Sequence, residues 1–143
     1  MSPLERDILR RKIERIISNL RLLEPMRGIS VSDYETDIYR RKAVERLLQE
    51  IVEAAVDINS HVLVQAGRSA PDDLYTSFIA LGDLGVLEPR FAASIAPSAG
   101  LRNRLVHEYD LIDNSLVLAA VRTTLEQYPV YVARVLEYVS RSG

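Results

Sequence analysis

Residues 102–110 read RNRLVHEYD and bring together two arginines, one of the chain's two histidines, a tyrosine and two acids. Arginine offers a permanent, forked cation that fits a phosphate, and histidine is the side chain that gives and takes protons near neutrality. Such a pair suits phosphodiester cleavage. In RNA the 2′-hydroxyl is itself the nucleophile, so a protein need only remove that proton, protonate the leaving 5′-oxygen and stabilise charge on phosphorus, with no metal required. Geometry sets a condition. Residues five apart on an ideal helix lie about 140° from one another, so Arg102 and His107 meet only if the arginine reaches around the helix or the backbone departs from it. The same residues also fit the polar end of a helix, where Arg102, Arg104 and His107 would complement the C-terminal dipole. Residue types alone leave both readings open.

Other chemistries find no support. Glu108 and Asp110 adjoin His107, but no second histidine lies near and the spacing is not that of a His-Glu-x-x-His zinc helix, so no metal site is expected. There is no Gly-x-Ser-x-Gly elbow, P-loop or Gly-x-Gly-x-x-Gly turn, and no cofactor is implied. With no cysteine in the chain, thiol catalysis, disulfides and zinc–cysteine sites are excluded. The second histidine, His61, stands four residues after Asp57 and can form a hydrogen-bonded pair with it on one helix; beside an apolar stripe, such a residue is more often a satisfied, half-buried side chain than a ligand.

The elements that would carry these residues are helical throughout. Ser2-Pro3-Leu4-Glu5 has the form of a capping box with proline at the first helical position, and Leu9, Ile13, Ile16, Leu20 and Leu23 follow in steps of four and three until Pro25 and Gly28. Ser32-Asp33-Tyr34-Glu35 repeats the signature. It is expected to open a long helix with Val44, Leu48, Ile51, Ala55, Ile58 and Val62 on one face, closed near Gly67. Asp72 or Asp73 can cap a shorter helix through Leu74, Phe78 and Leu81 to Gly85. A fourth starts at Glu88-Pro89 and should kink or restart at Pro97, just before the RNRLVHEYD stretch. Asp113–Ser140 forms the last, with Leu116, Val117, Ala120, Val121, Leu125, Val132, Val135, Leu136 and Val139 as its apolar positions and a kink at Pro129. The expectation is a single all-α domain over residues 1–143, an antiparallel bundle of about five helices.

Charge is distributed unevenly. The net charge is −2, yet residues 1–46 hold 11 Lys/Arg against 8 Asp/Glu, a net of +3, and residues 47–143 hold 7 against 12, a net of −5. The runs Arg10-Arg11-Lys12 and Arg40-Arg41-Lys42 supply most of the excess; they permit RNA binding without specifying it. No apolar run approaches a membrane span and the N-terminus lacks the pattern of a secretory signal. A soluble, cytoplasmic protein with no membrane partner is expected.

The pattern Arg102-Asn103-x-x-x-His107-x-Tyr109 resembles the R-x4-H-x-Y motif of the HEPN superfamily, and closely that of the HepT-like toxins of HEPN/MNT toxin–antitoxin pairs. The residues EAAVDINSHV, from Glu53 to Val62, resemble the family's second helix, and FIALG, 78–82, with GVL, 85–87, resembles the passage leading to the motif helix. The resemblance implies a HEPN-like fold and a metal-independent endoribonuclease, the toxin of a type VII-like toxin–antitoxin system, acting as a homodimer in which two motifs face each other. It assigns the scissile phosphate to Arg102, proton transfer to His107 and an orienting role to Asn103. It also implies a cognate minimal nucleotidyltransferase as antitoxin, silencing the nuclease by moving AMP from ATP onto Tyr109. Added phosphate beside an Arg/His pair would repel or block RNA, which gives that control a physical basis. The alternative is a non-catalytic, dimeric helical module that binds the nucleotidyltransferase.

Overall fold

A computed structural model of the chain describes residues 1–107 and 113–141. Its N-terminal helix starts where the capping signal lies. The Ser2 hydroxyl accepts from the Glu5 amide at 3.2 Å, and the Glu5 carboxylate accepts from the Ser2 amide at 2.7 Å. This satisfies two of the amide groups a helix start leaves unpaired and opens α1, Pro3–Leu23, which a 3-10 turn at Glu24–Met26 ends. The buried face of α1 is Leu9, Ile13, Ile16 and Leu23 together with Asn19, while Leu20 is only partly covered.

The second capping signal falls two residues earlier than expected and starts a different helix. Ser30, not Ser32, accepts from the Asp33 amide, and it caps only the five-residue α2, Val31–Glu35. The chain then turns, because the Thr36 hydroxyl donates to the Asp33 carbonyl and Asp37 accepts from the amides of Tyr39 and Arg40. Asp37 thereby begins α3, Ile38–Gln65. Its far end is closed by Gly67 at φ +81, with the Arg68 amide donating back to the Leu63 carbonyl.

Five helical segments were expected; among the described residues there are seven, five of them ten residues or longer. The others are α4, Leu74–Leu84, capped by Asp73; α5, Pro89–Ile95; α6, Ser98–His107; and α7, Asn114–Arg141. No strand occurs among the described residues, and no helix there is long and apolar enough to cross a membrane. The partners of α1 and α3 fix an antiparallel arrangement: Lys12 reaches Asp57, whereas Asn19, further along α1, reaches Glu50, further back on α3.

The core is centred on α3. The expected stripe from Val44 to Val62 is buried, but so are Val52, Ala54, Asn59 and Leu63, because α1, α4, α6 and α7 all pack on this helix. On α7 the expected positions Leu116 and Leu136 lie exposed, and two tyrosines, Tyr128 and Tyr131, are buried instead. Tyr131 stacks edge-on to Phe78 of α4, with ring centroids 5.9 Å apart. Its hydroxyl lies 2.5 Å from Asn59 Oδ1 and 3.0 Å from the Ala55 carbonyl. The Asn59 amide then donates to Ser77 Oγ at 3.0 Å, and Ser77 donates to the Leu74 carbonyl at 2.7 Å. Each donor in this buried chain meets an acceptor, and the chain links α7, α3 and α4. Between α4 and α5 the contact is close enough to require glycine: a Cβ on Gly82 would stand 2.9 Å from that of Ala92.

Replacing Asn59 with alanine removes the side chain that joins Tyr131 to Ser77, each of which keeps a backbone carbonyl as acceptor, and is expected to cost about 1–3 kcal/mol. Urea denaturation checks this against Asp72→Ala, an exposed change expected to stay within about 0.5 kcal/mol.

Candidate active site

The motif helix is set up by the residues just before it. Pro97 brings no amide to continue α5, and the chain re-forms through short turns in which the Ala99 amide donates to Ala96 and the Gly100 amide to Pro97. The break expected at Pro97 is therefore a restart. Ser98, at the head of α6, donates its hydroxyl to the Ile95 carbonyl and lies 2.8 Å from the Tyr128 hydroxyl of α7. Burial pushes the Tyr128 phenol up from its ordinary pKa, with the Ser98 hydrogen bond acting the other way, so this pair is a neutral tether. Ala99 and Leu105 pack into the core and fix the rotation of α6.

Arg102 and His107 lie on this one helix, which runs through Ser98–His107 without interruption. The backbone makes no departure between them, so the geometric condition for their meeting within one chain is not supplied by the main chain. Arg102 is largely covered, with 26% of its side chain exposed, and its Nε lies 4.0 Å from Glu53 Oε1 of α3. That distance makes an ion pair rather than a hydrogen bond. Glu53 Oε1 is buried and accepts no hydrogen bond, so the carboxylate acts on the guanidinium by charge alone. Asn103 is exposed beside it. Tyr109, with Glu108 and Asp110, lies outside the described residues, as does the side chain of His107.

The sequence assigns Glu53 no role beyond opening the stretch EAAVDINSHV. A signal was available: Glu53 is the lone charge in IVEAAV, residues 51–56, where an acid needs a reason to face the bundle. The proposed Asp57–His61 pair gives way to a different contact. Antiparallel packing brings Lys12 to the Asp57 carboxylate at 3.0 Å, and an ammonium from a facing helix is the stronger partner for that charge. His61 is half-buried and stands near enough to Glu5 to help hold its carboxyl below the ordinary range, after the hydrogen bond from Ser2, which is the main cause.

Two cavities flank α6 and α3. One, of about 300 Å³, lies between α6 and α7 and is lined by Leu101, Arg104, Leu105, Leu116 and Val117 among others. The other, of about 340 Å³, lies between α1 and α3, and Glu53 is part of its wall. Among the described residues no group of three or more His, Cys, Asp or Glu side chains is placed to hold a metal ion.

The family model described as Ribonuclease HepT-like matches residues 6–135. This chain belongs to the HepT-like ribonuclease family. The HepT-like chain is 42% identical over 141 residues to the protein named tRNA nuclease HepT from Aphanizomenon flos-aquae (strain 2012/KM1/D3), covering 97% of this chain and 95% of the relative. The mRNA nuclease HepT of Shewanella oneidensis is 25% identical over 126 residues, 88% of this chain and 94% of its own length. Among solved structures, the tri-AMPylated Shewanella oneidensis HEPN toxin in complex with MNT antitoxin matches with a TM-score of 0.82 at 24% identity, over 96% of this chain and 99% of that one. The all-α, HEPN-like architecture expected from the sequence is thus the fold of this HepT-like protein.

The Glu53–Arg102 contact makes a measurable statement about stability. Because the Glu53 oxygen gives up no hydrogen bond and the pair is partly exposed, Glu53→Gln should move the unfolding free energy by no more than about 1 kcal/mol. The urea midpoint of the purified variant, compared with the parent, checks this.

Proposed function

We propose that this HepT-like protein is the toxin of a HEPN/MNT-type pair and cuts RNA without a metal ion. The observation that carries the reading is the 42% identity, over nearly the whole chain, to a protein named as a tRNA nuclease. Arg102 would hold the scissile phosphate and neutralise charge as the fifth oxygen adds to phosphorus. His107 would take the proton from the 2′-hydroxyl; as that oxygen bonds to phosphorus, the bond to the 5′-oxygen breaks, and the leaving oxygen takes a proton. A base and an acid are needed in one step, and each chain brings one motif histidine. A homodimer with its two motifs opposed supplies the second histidine. The uninterrupted α6 supports that arrangement, since positions 102 and 107 lie about 140° apart around its axis. Asn103, exposed next to Arg102, would orient the substrate or the motif.

The proposed partner is a minimal nucleotidyltransferase that transfers AMP from ATP to Tyr109, releasing pyrophosphate. Phosphate charge placed two residues from His107 would compete with RNA for Arg102. The solved complex of an AMPylated HEPN toxin with an MNT antitoxin, a protein of the same fold, supports this reading.

The purified protein is expected to cleave a tRNA transcript in EDTA, and Arg102→Ala and His107→Ala each to lower the cleavage rate by at least about a hundredfold, the lower end of what a general acid–base group supplies, with unchanged circular dichroism. Full activity in both variants rules the reading out, and partner binding with no cleavage by the parent protein favours a non-catalytic module. For the regulatory step, intact-mass spectrometry after incubation with an MNT-type nucleotidyltransferase and ATP should show added AMP on the parent and none on Tyr109→Phe. Equal addition to both would place the acceptor elsewhere.

A further inference from the structure

The cavity between α1 and α3 has a lining that the cleavage chemistry does not use. Arg11, Lys12 and Arg15 enter it from α1 and Arg46 from α3, facing the carboxylates of Glu50, Glu53 and Asp57. Counted as charges the wall is nearly balanced, but the acids are already engaged. Asp57 holds Lys12 at 3.0 Å. Glu50 accepts from Asn19 at 3.1 Å and from Arg46 at 3.1 Å, and these hydrogen bonds hold its carboxyl below the usual carboxylate range. Glu53 faces Arg102.

Two cations have no short-range acid partner, although the charge of Arg15 also helps to hold the Glu50 carboxyl down. Among the described residues Arg11 and Arg15 form no ion pair within 4.0 Å, and both are exposed. They stand four apart on α1, on one face and about 6 Å apart along its axis, a step that neighbouring phosphates of one RNA strand can match. Guanidinium groups at such a spacing bind phosphate oxygens in forked pairs. The cavity also adjoins the motif helix, because Glu53, in its wall, lies 4.0 Å from Arg102.

We propose that the α1–α3 cleft is a binding track for RNA phosphates flanking the scissile one, with Arg11 and Arg15 as the groups that hold them. This rests on the reading of Arg102 as the residue that takes the scissile phosphate. Four of the eleven Lys/Arg of residues 1–46 then share one groove beside the motif, in a chain whose net charge is negative. A protein surface is a poorer fit to this cleft, since four cations and three acids would have to be desolvated together.

The test measures binding and cleavage separately, on the full chain. Fluorescence anisotropy with a labelled tRNA follows the affinity from about 50 to 300 mM salt for the parent, for Arg11→Gln/Arg15→Gln, and for Arg90→Gln/Arg122→Gln, which removes the same charge from exposed positions on α5 and α7. Each lost phosphate contact removes roughly 0.7 from the slope of log affinity against log salt. The cleft variant should therefore lose about 1.4 in slope and bind roughly 25-fold more weakly at about 0.1 M salt, while the control pair stays within about threefold of the parent. An unchanged slope in the cleft variant, an equal loss in the control, or no RNA binding by the parent overturns the proposal. Cleavage by Arg102→Ala, assayed in parallel, judges the nuclease reading alone: a cleavage-competent Arg102→Ala with weakened binding in the cleft variant keeps the track and removes the assigned role of Arg102.

Discussion

The fold depends on a single buried hydrogen-bond chain running from Tyr131 through Asn59 and Ser77 to the Leu74 carbonyl. Apolar contact alone would let α7 and α4 slide along α3, because methyl groups do not specify register. A polar chain in a dry interior does specify it, since one misplaced step strands a donor or acceptor at a cost comparable to a large share of a small domain's stability. Three helices are therefore held in one relative position, with the Phe78–Tyr131 ring pair packed beside the chain.

That register reaches the motif through α7. Tyr128 lies one turn before Tyr131 on the same helix and meets Ser98, the first residue of α6. Pro97 frees α6 from the direction of α5, and the Ser98–Tyr128 contact gives it a new one. The position of Arg102 against Glu53 is thus fixed by tyrosine hydroxyls at two levels, Tyr131 joining α7 to α3 and Tyr128 joining α7 to α6. The motif helix inherits its placement from the core.

The sequence told these layers apart unevenly. Helix starts at Ser2 and Asp73 were legible because a cap is a local interaction between residues three apart, and the start at Pro89 because proline presets the first helical angle. The break between α2 and α3 was not: Ser30, Ser32 and Asp37 are all competent caps, and only the packing of the loop chooses among them. Periodicity found the buried face of α3 but missed its second face, since Asn59 is polar and shares the core only through Ser77 and Tyr131. Likewise Tyr128 and Tyr131 carry hydroxyls that count against burial until their partners on other helices are known. At the site, the residue types and spacing of Arg102 and His107 could be read directly. The partners of Glu53 and Asp57 could not, because they bring together residues 49 and 45 positions apart, and nothing in one chain's periodicity encodes which faces meet.

The ion pair of Arg102 has a further meaning. An arginine facing only water is open to any anion that drifts past, whereas this one already has a resident counter-ion in Glu53, held on a rigid helix and unable to follow a visitor. An incoming anion must therefore outcompete a carboxylate for the same cation, and must do so from a position that Glu53 does not already occupy. Weakly charged or poorly placed groups lose that contest. In the proposed role of Arg102, the acid beside it would work as a threshold, turning a general attraction for negative charge into a preference for ligands that arrive in the right place with enough of it.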